Sequence, residues 1–218
     1  MVSLCCRPVL SRSPLHPVSF FQLSPPKFAR FTDLPLGAKK LVSSSMEAPP
    51  QGYRRNVGIC LVSPSNKIFS ASRLDIPGAW QMPQGGVDEG EDPRSAVIRE
   101  LREETGVTSA DILAEVPYWV TYDFPPEVRE KLNKQWGTDW KGQAQKWFLL
   151  KFTGKDEEIN LAGDGSEKPE FSEWSWMTPQ EIIQHAVEFK KPVYEEVLKV
   201  FAPYLLPDSA AESSADSQ

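Results

Sequence analysis

The chain has 218 residues, 40% hydrophobic and 25% charged, which fits one well-buried domain with tails. Its net charge of −6 argues against a general nucleic-acid coat but leaves room for a local basic pocket around a polyphosphate. No apolar run approaches the roughly 20 residues of a membrane-crossing helix, and Cys5, Cys6 and Cys60 form no metal-like set.

Residues 1–46 differ from the rest. They hold Arg7, Arg12, Lys27, Arg30, Lys39 and Lys40 against one acid, Asp33, a charge of +5 that leaves −11 for the remainder. A basic, serine-rich, acid-poor leader reads as an organelle transit peptide. An ordinary disordered extension is the other reading. Met46 then offers an internal start for a cytosolic form. One domain is expected over residues 50–206, followed by a small, polar, acidic tail at 207–218.

Within the domain, Asn56–Val62 is apolar and β-branched and reads as a buried strand, with Cys60 a buried thiol inside it. Lys67–Ala71 follows a Pro64-Ser65-Asn66 turn as its hairpin partner. A short strand at Ala79–Met82 leads into a Gly-rich approach, Pro83 to Gly86. The next helix is marked at both ends. Asp92 is a good N-cap, Pro93 suits the first helical position and Gly106 is a good stop. Val97, Leu101 and, further round, Ile98 form its apolar stripe, while small Ala96 falls on the opposite, acidic side. Strands are expected at Ile112–Val116, Tyr118–Tyr122, Lys146–Phe152 and Trp174–Trp176. Pro125–Trp136 reads as an inserted, partly helical loop, and two amphipathic helices close the domain at Pro179–Val187 and Val193–Tyr204. This order gives an α/β class with a mixed sheet sandwiched between helices.

The acidic side of the Pro93–Thr105 helix carries the chemistry. Glu100, Glu103 and Glu104 stand at i, i+3 and i+4 and share one face. Unpaired, they repel one another, and a hard divalent cation with oxygen preference relieves that. Such a cation screens phosphate charge and lowers the pKa of a bound water. Arg99 orients the glutamates, Glu91 braces the loop, and Gly85 and Gly86 permit close backbone approach. The plainer account is a solvated acidic helix with Arg99 and Arg102 as ion-pair partners. It leaves the flanking glycines and Glu91 as coincidence. His16 and His185 read as solvated.

The spacing of Gly85, Glu91, Arg99-Glu100-Leu101, Glu103-Glu104 and Gly106-Val107 resembles the signature of the Nudix hydrolases at every defined position. The likeness extends to Gly52–Gly58, Trp80–Gly86, Gly142–Phe148 and Pro169–Phe171. These stretches are similar to plant asymmetric diadenosine tetraphosphate hydrolases and to their sister group, the bacterial RNA pyrophosphohydrolases. The resemblance implies a Nudix fold and Mg²⁺ or Mn²⁺ held by Glu100, Glu103, Glu104 and a distal glutamate, Glu170. It implies phosphate contacts from Arg54, Arg73 and Lys146, with Lys190 or Lys191 as a further candidate, and a purine stacked on Tyr122. Core packing is the other role open to Tyr122, as it is for Trp80, Trp147, Trp174 and Trp176.

The expected activity is hydrolysis of diadenosine tetraphosphate to ATP and AMP, with diadenosine pentaphosphate and guanosine tetraphosphate as further substrates. The alternatives are a 5′-RNA pyrophosphohydrolase and a non-hydrolytic nucleotide-binding module. The expected partner is a small nucleoside polyphosphate, without membrane or long nucleic acid. The expected location is the chloroplast, with the mitochondrion as alternative, or the cytosol for a form begun at Met46.

Overall fold

The structure, a computed structural model, describes residues 48–205. The expected leader, 1–46, and tail, 207–218, lie outside the described residues. The described chain runs β1 (Tyr53–Val62), β2 (Ile68–Arg73), β3 (Trp80–Gln81), β4 (Gln84–Gly86), α1 (Pro93–Thr105), β5 (Ala110–Glu115) and β6 (Val120–Asp123). It continues with α2 (Pro126–Trp136), β7 (Gly142–Phe152), β8 (Phe171–Met177), α3 (Pro179–His185) and α4 (Lys191–Leu205). Short 3₁₀ turns stand at Asp156–Glu158 and Glu188–Lys190.

The strands form one mixed sheet in which β1 is central. It runs parallel to β7 from Tyr53 opposite Gly142 to Val62 opposite Lys151. It pairs antiparallel with β2 at one end and with β4 at the other. Alternation along β1 and β7 builds two cores, one on each face. Val57, Ile59, Leu61, Phe148 and Leu150 pack with Ala96, Val97 and Leu101 of α1. Cys60, Trp147 and Leu149 pack with Ile182 of α3 and Val197, Leu198 and Phe201 of α4. The sheet is thus sandwiched between helices. No helix among the described residues is long and apolar enough to cross a membrane.

The helix boundaries read from the sequence hold for α1. Asp92 accepts from the backbone N–H groups of Arg94 and Ser95, and Gly106, at φ 71°, donates its N–H to Arg102 O. Elsewhere the structure differs: β7 starts at Gly142 rather than Lys146, β8 spans Phe171–Met177 rather than Trp174–Trp176, and β6 starts at Val120 rather than Tyr118. Ile98 is 42% exposed, and Ala96, at 0%, packs into the core in its place. Within the Gly-rich approach, Gln84–Gly86 is a strand, with Gly85 opposite Val57. Glycines carry no side chain from which a period could be read, so only the backbone pairing reveals it. Pro125–Trp136, expected to be partly helical, is helical almost throughout. From Pro126 it is an eleven-residue helix that starts on proline and stops at Gly137 in the left-handed region.

Candidate active site

β4 delivers Gly85 and Gly86 to the acidic side of α1. A Cβ at Gly85 would stand 1.8 Å from Glu100 Oε2, and one at Gly86 would stand 2.2 Å from Arg54 Nη2. At both positions a functional side chain occupies the space that a Cβ would take. The Gln84 N–H donates to Glu104 Oε2 at 3.0 Å, tying the same strand to a second carboxylate.

Arg99 is the hub. Its Nε and Nη2 grip Glu91 at 2.9 and 2.8 Å, a bidentate pair. Nη2 also donates to Gly86 O at 2.7 Å, while Nη1 reaches Glu100 and Glu103, each at 2.8 Å. Glu91 Oε2 accepts from the Asp88 N–H and so closes the turn before the helix. The Arg99 bond holds Glu91 below the usual carboxylate range against the opposing effect of burial.

Glu170 arrives from the start of β8. Its carbonyl accepts from the Leu74 N–H, and its Oε2 accepts from Arg73 Nη1 at 2.8 Å. Arg73 is held in turn by Asp75 at 2.6 Å, a partner with no signature in the sequence. The register of β2 and β8 shifts between Ser72 and Arg73. Such a bulge re-aims the side chain beside it.

The electrostatics are those of crowded acids. Burial pushes Glu100 up to about 7 against the pull of Arg99. Burial also raises Glu104 well above the carboxylate range, and Glu170 and Glu100 raise it further. Glu170 is raised by burial and relieved by Arg73 and Lys190. Among the described residues no three His, Cys, Asp or Glu side chains are gathered tightly enough to hold an ion as they stand. Arg99 holds Glu100 and Glu103, the Gln84 amide holds Glu104, and Arg73 holds Glu170. The donor set still fits a hard divalent cation. It is all oxygen, it is partly desolvated, and its members destabilise one another until a positive charge arrives.

A cleft of about 370 Å³ opens beside these acids, in the size range of small-molecule sites. Arg54, Arg73 and Tyr122 line it. Tyr122 is only 8% exposed and donates its hydroxyl to Gln143 Oε1 at 2.7 Å. Its ring meets Phe189 at 5.8 Å and Phe124 at 5.9 Å. The sequence left Tyr122 between core and ligand, and it stands at their border.

Lys146 does not reach the cleft. Its neighbours on β7, Gln145 and Trp147, face the α4 side, so alternation turns Lys146 to the opposite face. There its ammonium stands 3.9 Å from Glu115. Lys190 stands in the cleft instead, donating to Gln81 Oε1 at 2.8 Å and Gln84 Oε1 at 3.0 Å. Burial, aided by Arg73, lowers its pKa to about 7. Lys191 pairs with the exposed Glu188. The floor of buried amides was also missed. Gln145 donates to Asn56, and Gln143, Gln145 and Gln84 approach one another within 3.3–3.4 Å. Gln143-x-Gln145 on a strand was the available signal, since residues two apart share a face.

The NUDIX domain profile matches residues 52–197. The chain belongs to the Nudix family. It is a Nudix hydrolase acting on pyrophosphate bonds, in a family that generally needs divalent metal ions. Nudix hydrolase 26, chloroplastic, of Arabidopsis thaliana is 64% identical over 211 residues, covering 91% of this chain and 98% of that protein. An RNA pyrophosphohydrolase of Cereibacter sphaeroides is 49% identical over 156 residues, covering 70% of this chain and 93% of that one. Among solved folds, a C. elegans Ap4A hydrolase complex superposes with a TM-score of 0.51 at 19% identity, covering 69% of this chain and 98% of that one. That likeness speaks for the Nudix fold alone.

Proposed function

We propose that this Nudix hydrolase cleaves dinucleoside polyphosphates, converting diadenosine tetraphosphate and water to ATP and AMP. The observation that carries the reading is a cleft with acids at one side and a wall of Tyr122, Phe124, Trp136 and Phe189 at another. Acids serve phosphates and aromatic rings serve bases, and a base on an aromatic side chain is worth about 1–3 kcal/mol. Glu100, Glu103, Glu104 and Glu170 would hold Mg²⁺ or Mn²⁺, which when bound supplies charge screening and an activated water. Arg99 fixes Glu100 and Glu103 in orientation. Arg54, Arg73 and Lys190 donate to the phosphate oxygens. Tyr122 and Phe189 touch one another, so a purine entering between them parts the two rings. Diadenosine pentaphosphate and guanosine tetraphosphate are further substrates of the same cleft.

Hydrolysis of 5′-triphosphate RNA is the second reading, favoured by the relatives named RNA pyrophosphohydrolases. The acidity of the chain outside its first 46 residues opposes long RNA. Turnover of these substrates by the purified protein, with products separated by ion-exchange chromatography, decides between them. Equal amounts of ATP and AMP, at the highest kcat/KM of the panel, are expected from diadenosine tetraphosphate. Faster release of pyrophosphate from the RNA would replace this reading with the second.

We further propose a chloroplast location, supported by the basic leader and by the relatives' names. Isolated chloroplasts should import the full chain and shorten it. A fluorescent fusion of residues 1–46 that stays outside plastids would refute the assignment.

A further inference from the structure

Helix α2 forms one wall of the cleft, and its last residue, Trp136, has two unexplained features. Its indole Nε1 is buried and has no hydrogen-bond partner. Its ring carries the guanidinium of Arg54, whose Cζ stands 5.2 Å from the ring centroid. Phe124 backs the indole edge-on at 6.2 Å. The end of the helix is also fixed. Asn133 accepts from the Trp140 N–H at 3.0 Å and donates to Trp140 O at 2.9 Å. Trp136 is therefore a braced surface rather than a loose flap.

Arg54 lies between Gly86 and the indole. A Cβ at Gly86 would stand 2.2 Å from Nη2, and the indole face lies against the guanidinium on its other side. Among the described residues the guanidinium makes no hydrogen bond. A guanidinium offers five donors in a plane that matches phosphate oxygens. Beside it stands a second unmatched donor, the indole N–H, and leaving such a group buried and unpaired is costly. Both residues line the cleft, and Arg54 interacts electrostatically with Glu100 and Glu170. A position made of donors alone thus adjoins the position made of acids.

We propose that Trp136, by holding Arg54 and presenting its own N–H, forms a subsite for a phosphate remote from the bond that breaks. The enzyme then reads the length of the polyphosphate chain. A substrate with four bridging phosphates spans the acids and this subsite together, whereas a shorter chain engages one of them less well. Binding energy from the remote phosphate serves the reaction at the acids. The inference rests on the dinucleoside polyphosphate reading for its kinetics, but not for its binding.

The test compares wild type with Trp136→Leu and Trp136→Phe at saturating Mg²⁺. Leucine keeps apolar bulk without a ring face or a donor. Phenylalanine keeps a ring face without the donor. Trp136→Leu should raise KM for diadenosine tetraphosphate about tenfold with little change in kcat, and the loss on diadenosine triphosphate should be at least fivefold smaller. Trp136→Phe should fall between. Calorimetric binding of inorganic tetrapolyphosphate should weaken about tenfold in the leucine variant, and thermal melting checks that each variant is folded. Equal losses on both dinucleotides, or unchanged tetrapolyphosphate binding, would overturn the subsite. Weaker tetrapolyphosphate binding without turnover of either dinucleotide would uphold the subsite and remove the substrate reading instead.

Discussion

Glu104→Gln should abolish hydrolysis and, in the metal-free protein, raise the melting temperature. Glu104 is desolvated among Glu100 and Glu170, and its folded pKa lies well above that of a free carboxylate. In the unfolded chain it ionises near pH 4.3. Above that pH the unfolded state gives up its proton readily and the folded state does not, so ionisation favours unfolding and stability falls as pH rises. Glutamine removes the charge, keeps the shape and still accepts the Gln84 N–H through its carbonyl. At pH 7.5 a gain of about 1 kcal/mol would raise the melting temperature by roughly 2–4 °C for a protein of this size. Added Mg²⁺ should reverse the order. Wild type gains stability by binding the ion, and the variant gains less. Turnover should drop about 10³-fold, since metal-supplied stabilisation of several kcal/mol depends on the ligand set. Scanning fluorimetry with and without Mg²⁺, beside a steady-state assay, reads all three effects. Full activity in the variant would remove Glu104 from the metal set, and a lower metal-free melting temperature would contradict its crowded environment.

The same helix shows what could be read without coordinates. Its ends were readable because Asp92, Pro93 and Gly106 act through their immediate neighbours, and caps are local chemistry. The contact of Arg99 with Glu103 was readable because i and i+4 residues meet on any helix. Likeness to a motif does not say which face of β7 a residue takes, and the structure sets Lys146 beside Glu115, on the face opposite Trp147. Trp147, recognised as a packing residue, already implied that its neighbour points the other way. Glu170 lay out of reach of local argument. It meets Arg73 only because β2 and β8 pair, which brings together residues 97 apart in sequence. The full extent of α2, read from the sequence as a partly helical loop, was obscured for another reason. Only Leu132 is fully buried on it, so its apolar stripe is too thin to announce a period.

Gly163→Ala should cost both stability and activity, although it lies outside the signature. The segment between β7 and β8 is fastened to the C-terminal end of α1. Asn160 donates its N–H to Thr105 O at 2.8 Å, and Arg102 pairs with Asp164 at 2.9 Å. Gly163 makes the closest approach. Its φ is 62°, and a Cβ there would lie 1.7 Å from Glu103 O and 2.7 Å from Glu103 C. The obstacle is backbone of the helix that carries the site, so no side chain can swing aside. Alanine must lift the segment and also adopt a left-handed conformation that L-residues disfavour. Overpacking of this kind costs about 1–3 kcal/mol, and scanning fluorimetry should show a fall of several degrees. Downstream, the lifted segment leads through Lys168 and Pro169, both on the cleft, to Glu170. A displacement of about 1 Å at a site residue can lower turnover ~10²-fold, and that is the expected fall in kcat. Asp164→Ala is the control. It removes an ion pair whose arginine is half exposed, so it should change stability by no more than about 1 kcal/mol and kcat less than twofold. A folded Gly163→Ala protein with wild-type kcat would show that Glu170 is positioned by its Arg73 and Leu74 bonds alone. The expected result makes the contact between Gly163 and the Glu103 carbonyl the point where the two carboxylate-bearing segments are set against each other.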